Sequence, residues 1–157
     1  MRFVIAFALA SIMGFDASVT LAQDNASILQ CLRTKVALAD AKIVSREPYG
    51  GSIEVTVTNN LSWALSGIYL EYVVRSADRS VPWLTDKVAD SIAGGIEPRE
   101  TRTIKTYFSG LSDDVPADVI LEVALLDLGD TTGNQVLLET RILGDNWTQK
   151  KSELGCN

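Results

Sequence analysis

The chemistry open to this chain rests on carboxylates, lysines and tyrosines, because none of its 157 residues is a histidine. That absence removes the commonest general base, the serine–histidine triad, the cysteine–histidine pair and almost every usual zinc site. No Gly-x-Ser-x-Gly elbow, Walker phosphate loop or Gly-x-Gly-x-x-Gly dinucleotide turn occurs, and Gly94-Gly95 stands in an expected turn without the following helix that a phosphate site requires. Paired acids remain: Asp113-Asp114, Asp127 with Asp130, and Glu97 with Glu100. Two carboxylates can serve as acid and base on a glycosidic bond. Each of these pairs, however, falls at or beside an expected turn, where acids form turns and solvate loops, so no catalytic residue is assigned. The stretch Asp127 to Asn134 gathers oxygen ligands on one loop but lacks the alternating acids and closing Glu of an EF-hand. No metal or cofactor is expected.

Recognition has better candidates. Trp83 beside Pro82 in an irregular segment, Tyr69 on an expected outer face, and the loop around Gly95 are the candidate partner-binding residues. The structural alternative is that Trp63 and Trp83 cover the open end of a core. Asn25-Ala26-Ser27, Asn60-Leu61-Ser62 and Asn146-Trp147-Thr148 match the N-glycosylation pattern, which matters only in a eukaryotic host. A net charge of −6 argues against a nucleic acid or an anionic membrane as partner. The densest basic spot, Lys150-Lys151, fits a solvated tail.

Two cysteines stand near opposite ends of the chain, Cys31 and Cys156. In an oxidising compartment they are natural disulfide partners, and closing so long a loop would stabilise by roughly 4 to 5 kcal/mol on the chain-entropy model. A redox-active pair would call for the Cys-x-x-Cys spacing that is absent here. The compartment follows from the first residues. Arg2 precedes an apolar run from Phe3 to Phe15, and Thr20-Leu21-Ala22 supplies a small-residue cleavage pattern. Asp16 ends the run too early for a membrane-spanning helix, which needs roughly 20 apolar residues. Residues 1–22 are expected to be a signal peptide and 23–157 one domain, with a cut after Ala17 as the alternative. A lipoprotein is not expected, since Cys31 lies far beyond the apolar run and follows Gln30.

The elements that must position these residues are mostly strands. Asp24 or Asn25 can cap a helix over 25–35, where Ile28, Leu29, Cys31 and Leu32 share a side. From Val36 to Ile43 the pattern is ambiguous, with helix then strand favoured before the turn at Pro48 to Gly51. Ile53, Val55 and Val57 alternate with polar residues up to Asn59-Asn60, and Ile68, Leu70, Tyr72 and Val74 alternate with Tyr69, Glu71, Val73 and Arg75. Val81 to Ile92 fits an edge strand or a loop. Gly94 to Glu100 is an expected turn leading into a strand over 102–108 with Ile104, Thr106 and Phe108 on one side. Asp113 to Pro116 breaks the pattern. Two further strands, Val119 to Leu126 and Val136 to Ile142, are joined by a hairpin loop at Asp130 to Asn134, and the tail over 144–157 has room for one short helix before Cys156.

About seven short strands at turn intervals of roughly 10 residues predict a mainly β, antiparallel two-sheet sandwich, with a small barrel as competitor. A strand ending in Asn59-Asn60, the aromatic-rich strand Ile68-Tyr69-Leu70-Glu71-Tyr72, and Ile96-Glu97-Pro98-Arg99-Glu100 before the next strand follow one another in an order that resembles the immunoglobulin-like FxLYD-type domains of bacterial envelope and secreted proteins. The resemblance covers about residues 38–143. Arg99 stands where such domains often carry Gly, and no Phe-x-Leu-Tyr-Asp string occurs. It implies a non-catalytic accessory or interaction module; with the expected signal peptide, such a module is expected to be periplasmic or secreted, with an unknown protein or cell-envelope partner. The alternatives are a carboxylate-dependent hydrolase or lyase, and a structural envelope component or inhibitor.

Overall fold

The computed structural model describes residues 17–47, 50–109, 114–137 and 154–155, with side chains from residue 26 onward. Its first element is a helix, α1 (Ala17–Lys35). The expected start at Asp24 or Asn25 is corrected: the helix passes through both and through Ala22 without a break. No Gly or Pro stands between Ala17 and Lys35, and extending a formed helix costs far less than nucleating one. Ile28 and Leu32, four residues apart on one face, are completely buried. The Lys35 carbonyl accepts the Asn60 amide at 2.8 Å, and Arg33 and Lys35 place positive charge at the carbonyl end of the helix.

The chain passes directly into β1 (Val36–Glu47), which runs antiparallel to β2 (Gly50–Asn59); β2 in turn pairs with β5 (Thr101–Phe108). The ambiguous stretch after Lys35 is thus strand from Val36, because β2 supplies a ladder partner that an extended helix would forgo. An extra residue bulges near Asp40, which takes a φ of 51°, a region Asp tolerates better than most residues. The second sheet has β3 (Leu65–Arg75) in the middle, flanked by β4 (Leu84–Ile96) and β6 (Ile120–Gly129), all antiparallel. The described residues therefore form two three-stranded antiparallel sheets, in the orders β1-β2-β5 and β4-β3-β6.

The sheets meet along the alternating apolar positions. Ile53, Val55 and Val57 of β2 and Ile68, Leu70, Tyr72 and Val74 of β3 are buried, and Tyr72 meets Phe108 of β5 with ring centroids 5.5 Å apart. β1 lies alongside β6, and β4 alongside β5. α1 closes the β1–β6 side: Arg33 donates to the Leu125 carbonyl at 2.7 and 3.0 Å, and Val136, Leu137 and Leu154 join Ile28 and Leu32 in the core.

Three expectations in the second sheet change. Gly94 and Gly95 do not make the turn after β4; they lie inside it, at φ 74° and 64°, where the pairing jumps from Gly67–Ser91 to Leu65–Ile96 and three extra residues of β4 loop out. A Cβ on Gly95 would stand 2.9 Å from the Leu65 carbonyl oxygen. The turn itself is Glu97 to Glu100, closed by Glu100 N–H donating to Glu97 O at 3.0 Å, with Arg99 at φ 69°. In β6, a bulge at Leu126 changes the phase of alternation, so that Leu128 rather than Asp127 continues the inward face below Leu125. The expected returning strand is not found at its start. Val136 and Leu137 open a helical turn instead, capped by the Asp127 carboxylate, which accepts the Leu137 amide at 2.9 Å. Leu138, Thr140 and Ile142 of that expected strand, and most of the expected C-terminal helix, lie outside the described residues.

Candidate functional site

The open side between β4 and β5 is where polar side chains reach inward. Register decides this. Asp86 pairs with Tyr72 and Asp90 with Ile68, so both acids leave β4 on the core-facing side. Asp86 is satisfied there: its Oδ2 accepts the Tyr72 hydroxyl at 3.0 Å and its Oδ1 the Lys87 amide at 2.8 Å. Burial, then the Asp86 hydrogen bond and charge, hold the Tyr72 hydroxyl well above its ordinary pKa, so it stays protonated at any physiological pH. Asp90 is different. Its Oδ2 is enclosed and has no hydrogen-bond donor among the described residues, and on β5 the fully buried Thr106 likewise has an Oγ1 without a partner there. Each such atom costs about 1–3 kcal/mol relative to a satisfied one.

Asp90 lines a recess of about 250 Å³ together with Ile92, Ala93, Arg102 and Ile104, with Ser91 and Lys105 at its margin. Arg102 is held in place by its turn. Its Nε and Nη2 donate to Glu100 Oε1 at 2.9 and 2.6 Å, and its Nη1 to the Ala93 carbonyl at 3.2 Å. Glu100 Oε2 accepts the Glu97 amide at 2.7 Å; that bond and Arg102 draw the Glu100 carboxyl below the usual carboxylate range. The recess thus has an apolar wall and a fixed guanidinium, and the unpartnered Asp90 Oδ2 lies enclosed beside it.

The residues expected to form a partner surface are dispersed. Trp83 precedes β4 and Gly95 lies near its end, about 12 residues of strand away, or roughly 40 Å if fully extended. Trp83 packs on the core with its indole N–H donating to Ser76 Oγ at 2.7 Å and the Arg79 guanidinium 3.6 Å over its ring. Trp63 also packs on the core. Tyr69 is half-buried on the outer face of the second sheet, between Ala89 and Asp127 in register. Of the three, Gly95 alone adjoins the recess, through the bulge that carries Ala93.

Four of the acids singled out from the sequence hold their own turns. Glu97 and Glu100 close the β4–β5 turn, and Asp127 caps the Val136–Leu137 turn. Asp130 Oδ1 accepts from Thr132 N, Thr132 Oγ1 and Asn134 N between 2.7 and 3.1 Å, while the Ser66 hydroxyl donates to the Asp130 carbonyl. The oxygens that suggested calcium are therefore turned on the loop's own donors, and no three potential ligands gather among the described residues. Asp113 lies outside them. Cys31 is half-buried and no described thiol is free; Cys156 lies outside the described residues, but Leu154 is buried in the core and Gly155 approaches the Lys35 side chain, one helical turn from Cys31.

Asp86, Asp90, Thr106 and Arg102 were not singled out from the sequence. The alternation Asp86, Val88, Asp90, Ile92 is a signal for an edge strand with inward acids, but it becomes one only when the register to β3 is known. Compared with known proteins, the chain matches no family model and no curated protein at a significant level.

Proposed function

We propose that the chain is an exported, periplasmic or secreted, non-catalytic interaction module, built as an immunoglobulin-like sandwich of FxLYD type. The observation that carries this reading is the open β4–β5 side, where two strand edges that are unpaired among the described residues flank a recess lined by Asp90, Arg102 and Ile104. The likeness to FxLYD domains draws support from the position of its pieces, with Asn59 ending β2, Ile68 to Tyr72 in the middle of β3, and Arg99 in the left-handed conformation where such domains often carry Gly. A signal peptide over residues 1–22 and a bridge between Cys31 and Cys156 belong to the same reading. The bridge is supported by Gly155 lying against Lys35, on the face of α1 that also carries Cys31. No helix among the described residues is long and apolar enough to cross a membrane.

A photo-crosslinking residue in place of Ser91, at the margin of the recess, should capture a reproducible partner from envelope extract, whereas the same residue in place of Thr58 on the outer face of the first sheet should not. Equal capture from both positions, or none from either, would count against a module that works through this side. The carboxylate-hydrolase alternative loses support from the geometry of three of its candidates, since Glu100, Asp127 and Asp130 hold turns. An inhibitor or structural component would use the same surface, and the identity of the captured partner separates it from a general accessory module.

A further inference from the structure

The two strand edges that flank the recess are not equally open to another strand. β4 carries the devices that keep an edge unpaired: the outward loop at Gly94 and Gly95, the inward acids Asp86 and Asp90, and Lys87. β5 has no bulge and no acid, and it pairs with β2 from Thr101 to Phe108 without a shift of register. Antiparallel alternation fixes which of its backbone groups are spare. The Asn59 amide donates to the Glu100 carbonyl at 3.0 Å, so Glu100, Arg102, Ile104, Thr106 and Phe108 direct their N–H and C=O groups at β2. Those of Thr103, Lys105 and Tyr107 point to the other edge, where no strand pairs among the described residues, and the side chains of these three are exposed.

Lys105 gives that edge a preference of charge. Lys42, Glu54 and Lys105 stand in register across β1, β2 and β5 on the outer face of the first sheet. Glu54 is taken by Lys42 at 3.1 Å, and Lys105 pairs with no carboxylate of the described residues; its ammonium rests 5.6 Å over the Tyr107 ring. A fourth strand places a residue directly beside Lys105. An acid there continues the alternation of charge along the row, and a cation is repelled. The neighbouring residue of that strand points inward against Ile104, over the recess of about 250 Å³ that Ile92, Ala93 and Ile104 line, which an apolar side chain fills. Arg102 closes the gap before Thr103, its Nη1 donating to the Ala93 carbonyl at 3.2 Å. Pairing β5 with β5 of a second copy brings no acid to Lys105, since Thr101–Phe108 contains none.

We propose that the free edge of β5, from Thr103 to Tyr107, takes up an extended segment of a partner protein as a fourth strand of the first sheet, with an Asp or Glu beside Lys105 and an apolar residue over Ile104. This rests on the interaction-module reading and names the chemistry of the partner. The test is nitrogen-15 NMR of the purified protein with the capped peptide acetyl-Thr-Val-Glu-Val-Thr-amide, using peptides with Gln or Lys in place of Glu as controls. At saturating peptide, hydrogen exchange should slow at the amides of Thr103, Lys105 and Tyr107 and stay unchanged at Arg102, Ile104 and Thr106, which already face β2. The Gln peptide should bind about threefold more weakly, and the Lys peptide more weakly still. Lys105→Glu should reverse the order of the Glu and Lys peptides. Thr103→Pro removes one spare N–H without touching the β2 ladder, so it should abolish the alternate slowing while the spectrum stays dispersed and native. Absence of alternate slowing, or an unchanged order of peptides in Lys105→Glu, overturns the proposal. Alternate slowing in the concentrated protein alone assigns the edge to a second copy and overturns it too. Undiminished partner capture at Ser91 in a Lys105→Glu protein overturns it while leaving the module reading intact. Normal peptide binding with no captured partner instead overturns the module reading, and with it the protein source of the strand.

Discussion

Asn59 ends β2 fully buried, and its side chain binds three backbone groups: Nδ2 donates to the carbonyls of Trp63 and Ile96 at 2.9 and 2.8 Å, and Oδ1 accepts the Leu61 amide at 2.9 Å. One side chain thereby ties the β2–β3 connection to the end of β4. Asn59→Ala leaves those groups unsatisfied and should lower stability by about 3 kcal/mol, seen as a lower urea midpoint at unchanged slope. Two ionisable side chains give stability opposite pH dependences. The folded Tyr72 keeps its proton above the unfolded value near 10, so its contribution is complete below about pH 10 and is lost as pH rises toward the folded value. Tyr72→Phe should flatten the alkaline limb of a stability–pH curve. Glu100, with a lowered folded pKa, contributes above its unfolded value of about 4.3 and ceases to do so as pH falls through the folded value. Glu100→Gln should remove only that acid-side slope. At this scale the inward rows of β2, β3 and β5 were legible from apolar alternation alone. The polar members of the recess were not, since an aspartate in an irregular segment looks the same whether it faces water or the core.

At the scale of elements, left-handed positions organise the β4–β5 corner. Gly94 and Gly95 let β4 loop outward within its ladder, and Arg99 turns the chain into β5, its amide donating to the Asn59 carbonyl at 2.6 Å. Gly94→Ala meets only backbone strain and should cost about 1 kcal/mol. Gly95→Ala adds a close approach to the Leu65 carbonyl and should cost more, with a correspondingly larger drop in Tm. Arg99→Gly should stabilise by about 0.5–1 kcal/mol, relief of strain outweighing the added freedom of the unfolded chain. A cluster of Gly, Pro and Glu marks a change of direction in sequence, but it does not separate a bulge from a turn; the pairing of Leu65 with Ile96 does. The same limit explains Val136 and Leu137, whose alternation suits a strand while the Asp127 carboxylate, brought there by the Leu126 bulge, caps a helical turn. It explains α1 as well. Asp24 is a good cap by type, but a residue caps only where the preceding chain leaves the helix, and here it does not.

For the whole molecule, mass spectrometry of the exported protein, reduced and non-reduced, should find Gln23 as the first residue and Cys31 joined to Cys156. Reduction should then lower stability by up to about 5 kcal/mol, the upper value expected for releasing so long a loop. An intact N-terminus with free thiols would contradict both the compartment and the bridge. The sequence by itself determined that the chain is mainly β, because period-2 alternation depends only on which face of a strand meets a core. It also determined the absence of histidine chemistry, which follows from composition alone, and the acidic balance that bears on partners. Tertiary structure alone decided how the strands sort into β1-β2-β5 and β4-β3-β6, which acids point inward, and that Trp83, Tyr69 and Gly95 do not share one surface. Those properties depend on pairing partners and bulges far apart in the chain, where a one-residue change of register sends every side chain of a strand to the opposite face.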